Sequence, residues 1–102
     1  MKLRQIAHTR AGDKGNTVNI SIIAFEPAHY PLLAKHITAE RVKAFFKEIV
    51  AGDILRYELP NIGALNFVMY KALGGGVTRT LAIDPHGKSL SSAILDMEIP
   101  ED

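Results

Sequence analysis

Between Thr38 and Ala51 the apolar residues Val42, Phe45, Phe46, Ile49 and Val50 recur at i, i+3, i+4, i+7 and i+8, the spacing that lines one face of an α-helix. A stripe of that width needs a surface to cover it, so the segment is expected to be a helix packed on a sheet. Both ends agree with the period. Thr38 can accept a hydrogen bond from a free amide of the first turn, Glu40 sits at the positive end of the helix dipole, and Gly52 stands where a left-handed residue closes a helix. Val42, Phe45, Phe46 and Ile49 are expected in the core, and Phe45→Ala is expected to cost about 3–5 kcal/mol.

The sheet is sought in the remaining segments. Leu3 to Thr9 and Thr17 to Phe25 read as strands, the second rich in branched residues (Val18, Ile20, Ile22, Ile23), and they are expected to pair as a hairpin across Gly12 to Gly15. Pro27 and Pro31 interrupt the pattern, leaving one or two helical turns over Tyr30 to His36. Ile54 to Leu59 alternates Leu55, Tyr57 and Leu59 with Arg56 and Glu58, a strand with the apolar set as its buried face, stopped by Pro60. Ala64 to Leu73 is dense in helix formers, apolar on most sides and closed by Gly74, so a second helix is expected there. Val77 to Asp84 and Ser89 to Ile99 read as strands joined by the turn Asp84-Pro85-His86-Gly87. The order ββα(α)βαββ predicts an α+β, two-layer sandwich with helices on one face of a mostly antiparallel sheet.

A length of 102 residues holds one domain, residues 1–102, with little volume for an enclosed pocket. Twelve basic and eleven acidic residues, a formal charge of +1, form no basic stripe, so nucleic acid is not an expected partner. The absence of cysteine excludes disulfides, thiol nucleophiles and cysteine metal sites within the chain. No HxH, HxxxH or carboxylate cluster is present, so no metal site is expected. No cofactor is expected either: Gly12-Asp13-Lys14-Gly15 places its lysine between the glycines, and Gly87-Lys88-Ser89 has Ala82 where a phosphate-binding loop needs glycine. With no apolar run of signal-peptide or membrane-spanning length, a cytoplasmic location off the membrane is expected.

Two glycine clusters draw attention, Gly12 to Val18 (GDKGNTV) and Gly74-Gly75-Gly76-Val77-Thr78-Arg79. One reading is a hairpin turn and a helix cap. The other is a pair of turns whose amides, helped by Lys14 and Arg79, cradle an anion. A cap needs one glycine, not three, and that excess supports the second reading. It predicts that the two clusters lie together and that Gly75 or Gly76 has positive φ. His8, oriented by Asp13 and next to Lys14, is a weak candidate for general-base chemistry, although four histidines make accidental pairs common. Among the asparagines, Asn61 reads as a helix cap, while Asn66 either bridges backbone groups or presents its amide to a carboxylate or carbonyl.

The runs Ala7-His8-Thr9-Arg10-Ala11-Gly12-Asp13-Lys14-Gly15-Asn16, Arg56-Tyr57-Glu58-Leu59-Pro60-Asn61, Ala64-Leu65-Asn66-Phe67 and Leu73-Gly74-Gly75-Gly76-Val77-Thr78-Arg79 resemble the ferredoxin-fold domain of the AtuA-like (acyclic terpene utilisation A) family. The resemblance extends from about Leu3 to Ile99. It implies a ferredoxin-like fold, two helices on one face of an antiparallel sheet; the strand order read above does not reproduce βαββαβ, and a rearranged or extended variant with one extra edge strand would reconcile the two. In that family the small domain is fused behind a much larger one or encoded beside it, commonly among genes for acyl-CoA and branched or terpenoid acid breakdown; this chain resembles the free-standing form.

The resemblance therefore implies an accessory subunit docking on a larger AtuA-like protein, with a small acidic ligand as a second candidate partner. The residues expected to bind are Gly12, Asp13, Lys14, Gly15, Asn16, Asn61, Asn66, Gly74, Gly75, Gly76, Thr78 and Arg79, with Phe67 flanking them. The alternative is a small homo-oligomeric enzyme acting on an acyl thioester or organic acid, with His8, Asp13 and Lys14 at a subunit junction. A purely structural oligomerisation module is a third reading.

Overall fold

The computed structural model describes residues 1–14, 17–46, 50, 52–70 and 88–100. Strands β1 (Ala7–Lys14) and β2 (Thr17–Ala24) form the expected hairpin, followed by helices α1 (Tyr30–His36) and α2 (Ala39–Phe45). Strands β3 (Ile54–Leu59) and β4 (Ala64–Tyr70) form a second hairpin, and helix α3 (Lys88–Ala93) precedes a last 3-10 turn, Ile94–Asp96. The four strands make one antiparallel sheet in the order β1-β2-β4-β3. This is the expected α+β, ferredoxin-like arrangement, with the helices packed against one face of the sheet.

Alternation along the strands decides what that face carries. Val18, Ile20 and Ile22 of β2 and Leu65, Phe67 and Met69 of β4 are buried, and they form one cluster with Leu33, Ile37, Val42, Phe46, Leu90 and Ile94 from the helical layer. Thr9 of β1 belongs to the same side, since its hydroxyl donates to the Ser91 carbonyl of α3 at 2.9 Å. Arg56 of β3 does too: Nη1 donates to the carbonyls of Ala34 and Ile37 at 2.8 and 2.9 Å, and Nη2 reaches Glu58. The guanidinium thus satisfies carbonyls that the end of α1 leaves without partners.

That placement inverts the expected faces of β3. The strand has the predicted bounds, but Leu55, Tyr57 and Leu59 are exposed and Ile54 and Arg56 turn toward the helices. A larger correction concerns Ala64 to Leu73, expected to be a helix and found as strand β4 over Ala64–Tyr70. Backbone pairing with β2 on one side and β3 on the other outweighs the helix propensity of Ala64, Leu65 and Met69.

Ser89 to Ile99 was expected as a strand and is instead α3 with its 3-10 extension, burying Leu90 and Ile94 one helical turn apart. Only the bridge between Lys2 and Glu98 remains of that strand. Leu3 to Thr9 is also revised, since Leu3–Gln5 is a 3-10 turn and β1 begins at Ala7. Arg4 donates to Asp96, tying the first turn to the last, and that hydrogen bond holds the Asp96 carboxyl below the usual range. The contact stabilises above the ordinary aspartate range and fades as pH falls through the lowered value; with both side chains about half exposed, it adds little.

Helix α2 is shorter than expected. Val42 and Phe46 are buried at i and i+4, whereas Phe45 is 40% exposed and meets the Phe46 ring edge-on at 5.1 Å. Its N-cap is as expected: the Arg41 amide donates to Thr38 Oγ1 at 3.1 Å. Thr38→Ala should therefore lower the unfolding free energy by about 1 kcal/mol, measured by urea denaturation.

Gly52 is no left-handed cap. Its amide donates to the Tyr70 carbonyl at 3.0 Å, and a Cβ there would sit 2.5 Å from that oxygen. The glycine is required by close approach to β4 rather than by φ. The expected strand Val77 to Asp84 and the turn Asp84 to Gly87 lie outside the described residues.

Candidate functional site: the open face of the sheet

Register places one set of residues on the face that, among the described residues, no helix covers. Three rows run across the sheet: His8, Ile23, Ala64 and Leu59; Arg10, Ser21, Asn66 and Tyr57; and Gly12, Asn19, Val68 and Leu55. Tyr70, opposite Thr17, extends the face. Its β3 side is apolar yet accessible, with Leu55 42%, Tyr57 49%, Leu59 39% and Tyr70 41% exposed. The β1 side carries His8 and Arg10, both exposed.

Between these sides lies a small hydrogen-bonded network. Asn66 Nδ2 donates to Ser21 Oγ at 2.8 Å and to Asn19 Oδ1 at 3.4 Å. Asn66 therefore engages side chains of the neighbouring strand rather than bridging backbone groups. Gly12, paired with Asn19 across the hairpin, lies so close that a Cβ would be 3.1 Å from Asn19 Nδ2. A side chain at position 12 would press on that carboxamide; the glycine leaves it uncovered.

The remaining expected site residues scatter. Gly12, Asp13 and Lys14 are not loop residues but the end of β1, paired with Asn19, Val18 and Thr17. Five positions along one strand separate the Cα atoms of His8 and Asp13 by about 17 Å, too far for a direct hydrogen bond; the His8 ring instead stacks on Phe25 at 5.4 Å. Gly15, Asn16, Gly74, Gly75, Gly76, Thr78 and Arg79 lie outside the described residues, and with them the expected meeting of the two glycine clusters. Phe67 is fully buried, which removes it from any surface.

Asn61 caps no α-helix. It is exposed in the 3-10 turn Pro60–Ile62 between β3 and β4, and with Phe25, Pro27, Tyr30, Pro31 and Ile62 it lines an open cleft of about 410 Å³. The turn closes on Gly63 at φ 65° and ψ 39°, left-handed values that cost a side-chain-bearing residue about 1 kcal/mol. A Cβ there would meet only Ala24 at 3.9 Å, so Gly63→Ala should destabilise by that conformational amount alone, seen as a lower thermal midpoint with an unchanged circular dichroism spectrum.

Sequence reasoning missed Arg10, Ser21, Leu55, Tyr57 and Tyr70. For Leu55 and Tyr57 the signal was present in the period-2 alternation of β3, but alternation identifies two faces without saying which is covered; Ser21 and Tyr70 join them only through the register of β2 and β4. Among the described residues no helix is long and apolar enough to cross a membrane.

No curated protein and no solved structure matches the chain. The family profile described as the AtuA ferredoxin-like domain matches residues 1–100, nearly the whole chain, and agrees with the four-stranded antiparallel sheet and its helical layer. The chain therefore belongs to the AtuA ferredoxin-like domain family.

Proposed function

We propose that this chain is an accessory domain of an AtuA-like system, docking through the open face of its sheet on a larger AtuA-like protein. The observation that carries the reading is the asymmetry of the sheet. One face is sealed by the helical layer, while the other exposes Leu55, Tyr57, Leu59 and Tyr70 beside a hydrogen-bonded polar centre. Water is a poor covering for such an apolar group, and patches of this kind mark contact surfaces. Membership of the family supports a larger AtuA-like protein as the partner, and the resemblance to chains encoded among acyl-CoA and branched organic acid breakdown genes supports the metabolic setting.

The open face is one side of a four-stranded sheet, which suits a protein surface better than a reacting small molecule, since ligand sites enclose most of what they bind. Coexpression with a larger AtuA-like protein, followed by size-exclusion chromatography, tests the reading. The two chains should elute together. Separate elution, or turnover of an acyl thioester by the isolated chain, would overturn it.

A further inference from the structure

We propose that the polar centre of the open face recognises a carboxylate side chain, an Asp or Glu of the larger AtuA-like protein. The inference rests on the docking reading and specifies its chemistry. Asn66 spends its amide N–H groups on Ser21 Oγ and Asn19 Oδ1. Each of those oxygens has accepted one hydrogen bond and keeps one lone pair, while the Ser21 O–H and both Asn19 Nδ2 N–H groups remain as donors. Arg10 lies directly opposite Ser21 in the β1–β2 register and is exposed, adding guanidinium donors to the same row. Gly12 keeps the approach to Asn19 Nδ2 clear.

With the Arg10 guanidinium, which donates only, the donors of this centre outnumber the lone pairs left on Ser21 Oγ, Asn19 Oδ1 and the Asn66 carbonyl. None of the residues in the three rows is acidic, so among the described residues these rows bring no carboxylate to Arg10; the nearest carboxylate along β3, Glu58, pairs with Arg56 on the helical side. An ionised carboxylate only accepts hydrogen bonds and carries the complementary charge, so it matches this surplus. A carboxylate carried by a protein fits better than a free organic acid. The apolar residues beside the centre extend over Leu55 to Leu59, about 13 Å along β3, more than a small acid would cover.

The test uses the whole chain and the purified larger AtuA-like protein, with affinity read by calorimetry at low and high salt and folding by circular dichroism. Arg10→Glu and, separately, Asn19→Asp place a negative charge at the centre and should each weaken binding about tenfold or more while reducing its salt dependence, because like charges oppose each other across an interface. Arg10→Lys should retain part of the affinity. A wild-type complex whose affinity is unchanged in folded Arg10→Glu and Asn19→Asp proteins would overturn the carboxylate inference and leave docking intact. No wild-type complex at all would overturn the docking reading. If sodium acetate shifts the Asn19 side-chain amide resonances while Arg10→Glu leaves partner affinity unchanged, the centre belongs to a free acid and the inference fails.

Discussion

Phe67→Ala should destabilise the chain by about 3–5 kcal/mol, the range expected when a fully buried aromatic is truncated and its cavity only partly collapses. Phe67 is wholly buried in β4, paired with Ile20 of β2 and Arg56 of β3, so the loss falls at the centre of the four-stranded sheet. Small domains have about 5–15 kcal/mol of total stability, and the variant should populate unfolded chain on mild heating. Phe45→Ala is the control. With its ring 40% exposed, that change should cost about 1 kcal/mol, and equal losses for the two variants in urea titrations would contradict the burial described here.

The two phenylalanines also show how much of the fold was legible. Local features read correctly: the Thr38 cap, the Pro60 stop, the pairing of the first two strands though not the bounds of the first or of their loop, and the bounds of β3 and of Tyr30–His36. Each depends on residues within one turn or one strand of each other. What failed depends on distant partners. Ala64 to Tyr70 has the composition of a helix and becomes a strand because β2 and β3 pair with it from both sides. Arg56 turns inward because carbonyls 19 and 22 residues away await a donor, and that inverts the face read for Leu55, Tyr57 and Leu59. Gly52 is set by Tyr70, eighteen positions on.

The site was legible to a similar degree. Gly12 and Asn66 were singled out, the first as a loop glycine and the second as either a bridge between backbone groups or an amide presented to a carboxylate or carbonyl. The structure joins them through Asn19 on one sheet face. Arg10 and Tyr57 carry no motif, and only the register brings them into one row with Ser21 and Asn66.

The second large effect concerns that face. Leu55→Asp combined with Tyr57→Asp puts two carboxylates where the docking account requires apolar contact. On binding, both would be desolvated without partners, a cost of several kcal/mol, so affinity for the larger protein should fall by about a hundredfold or more. Both side chains are half exposed in the isolated chain, so the fold should survive and the circular dichroism spectrum should match wild type.

Calorimetric titration of this double variant against the larger AtuA-like protein, beside wild type at the same concentrations, tests the docking account most directly. The account predicts heat of binding and a measurable Kd for wild type, and no detectable binding for a folded Leu55→Asp, Tyr57→Asp chain. Equal affinity for the two would show that the open face of the sheet is not the surface that meets the partner.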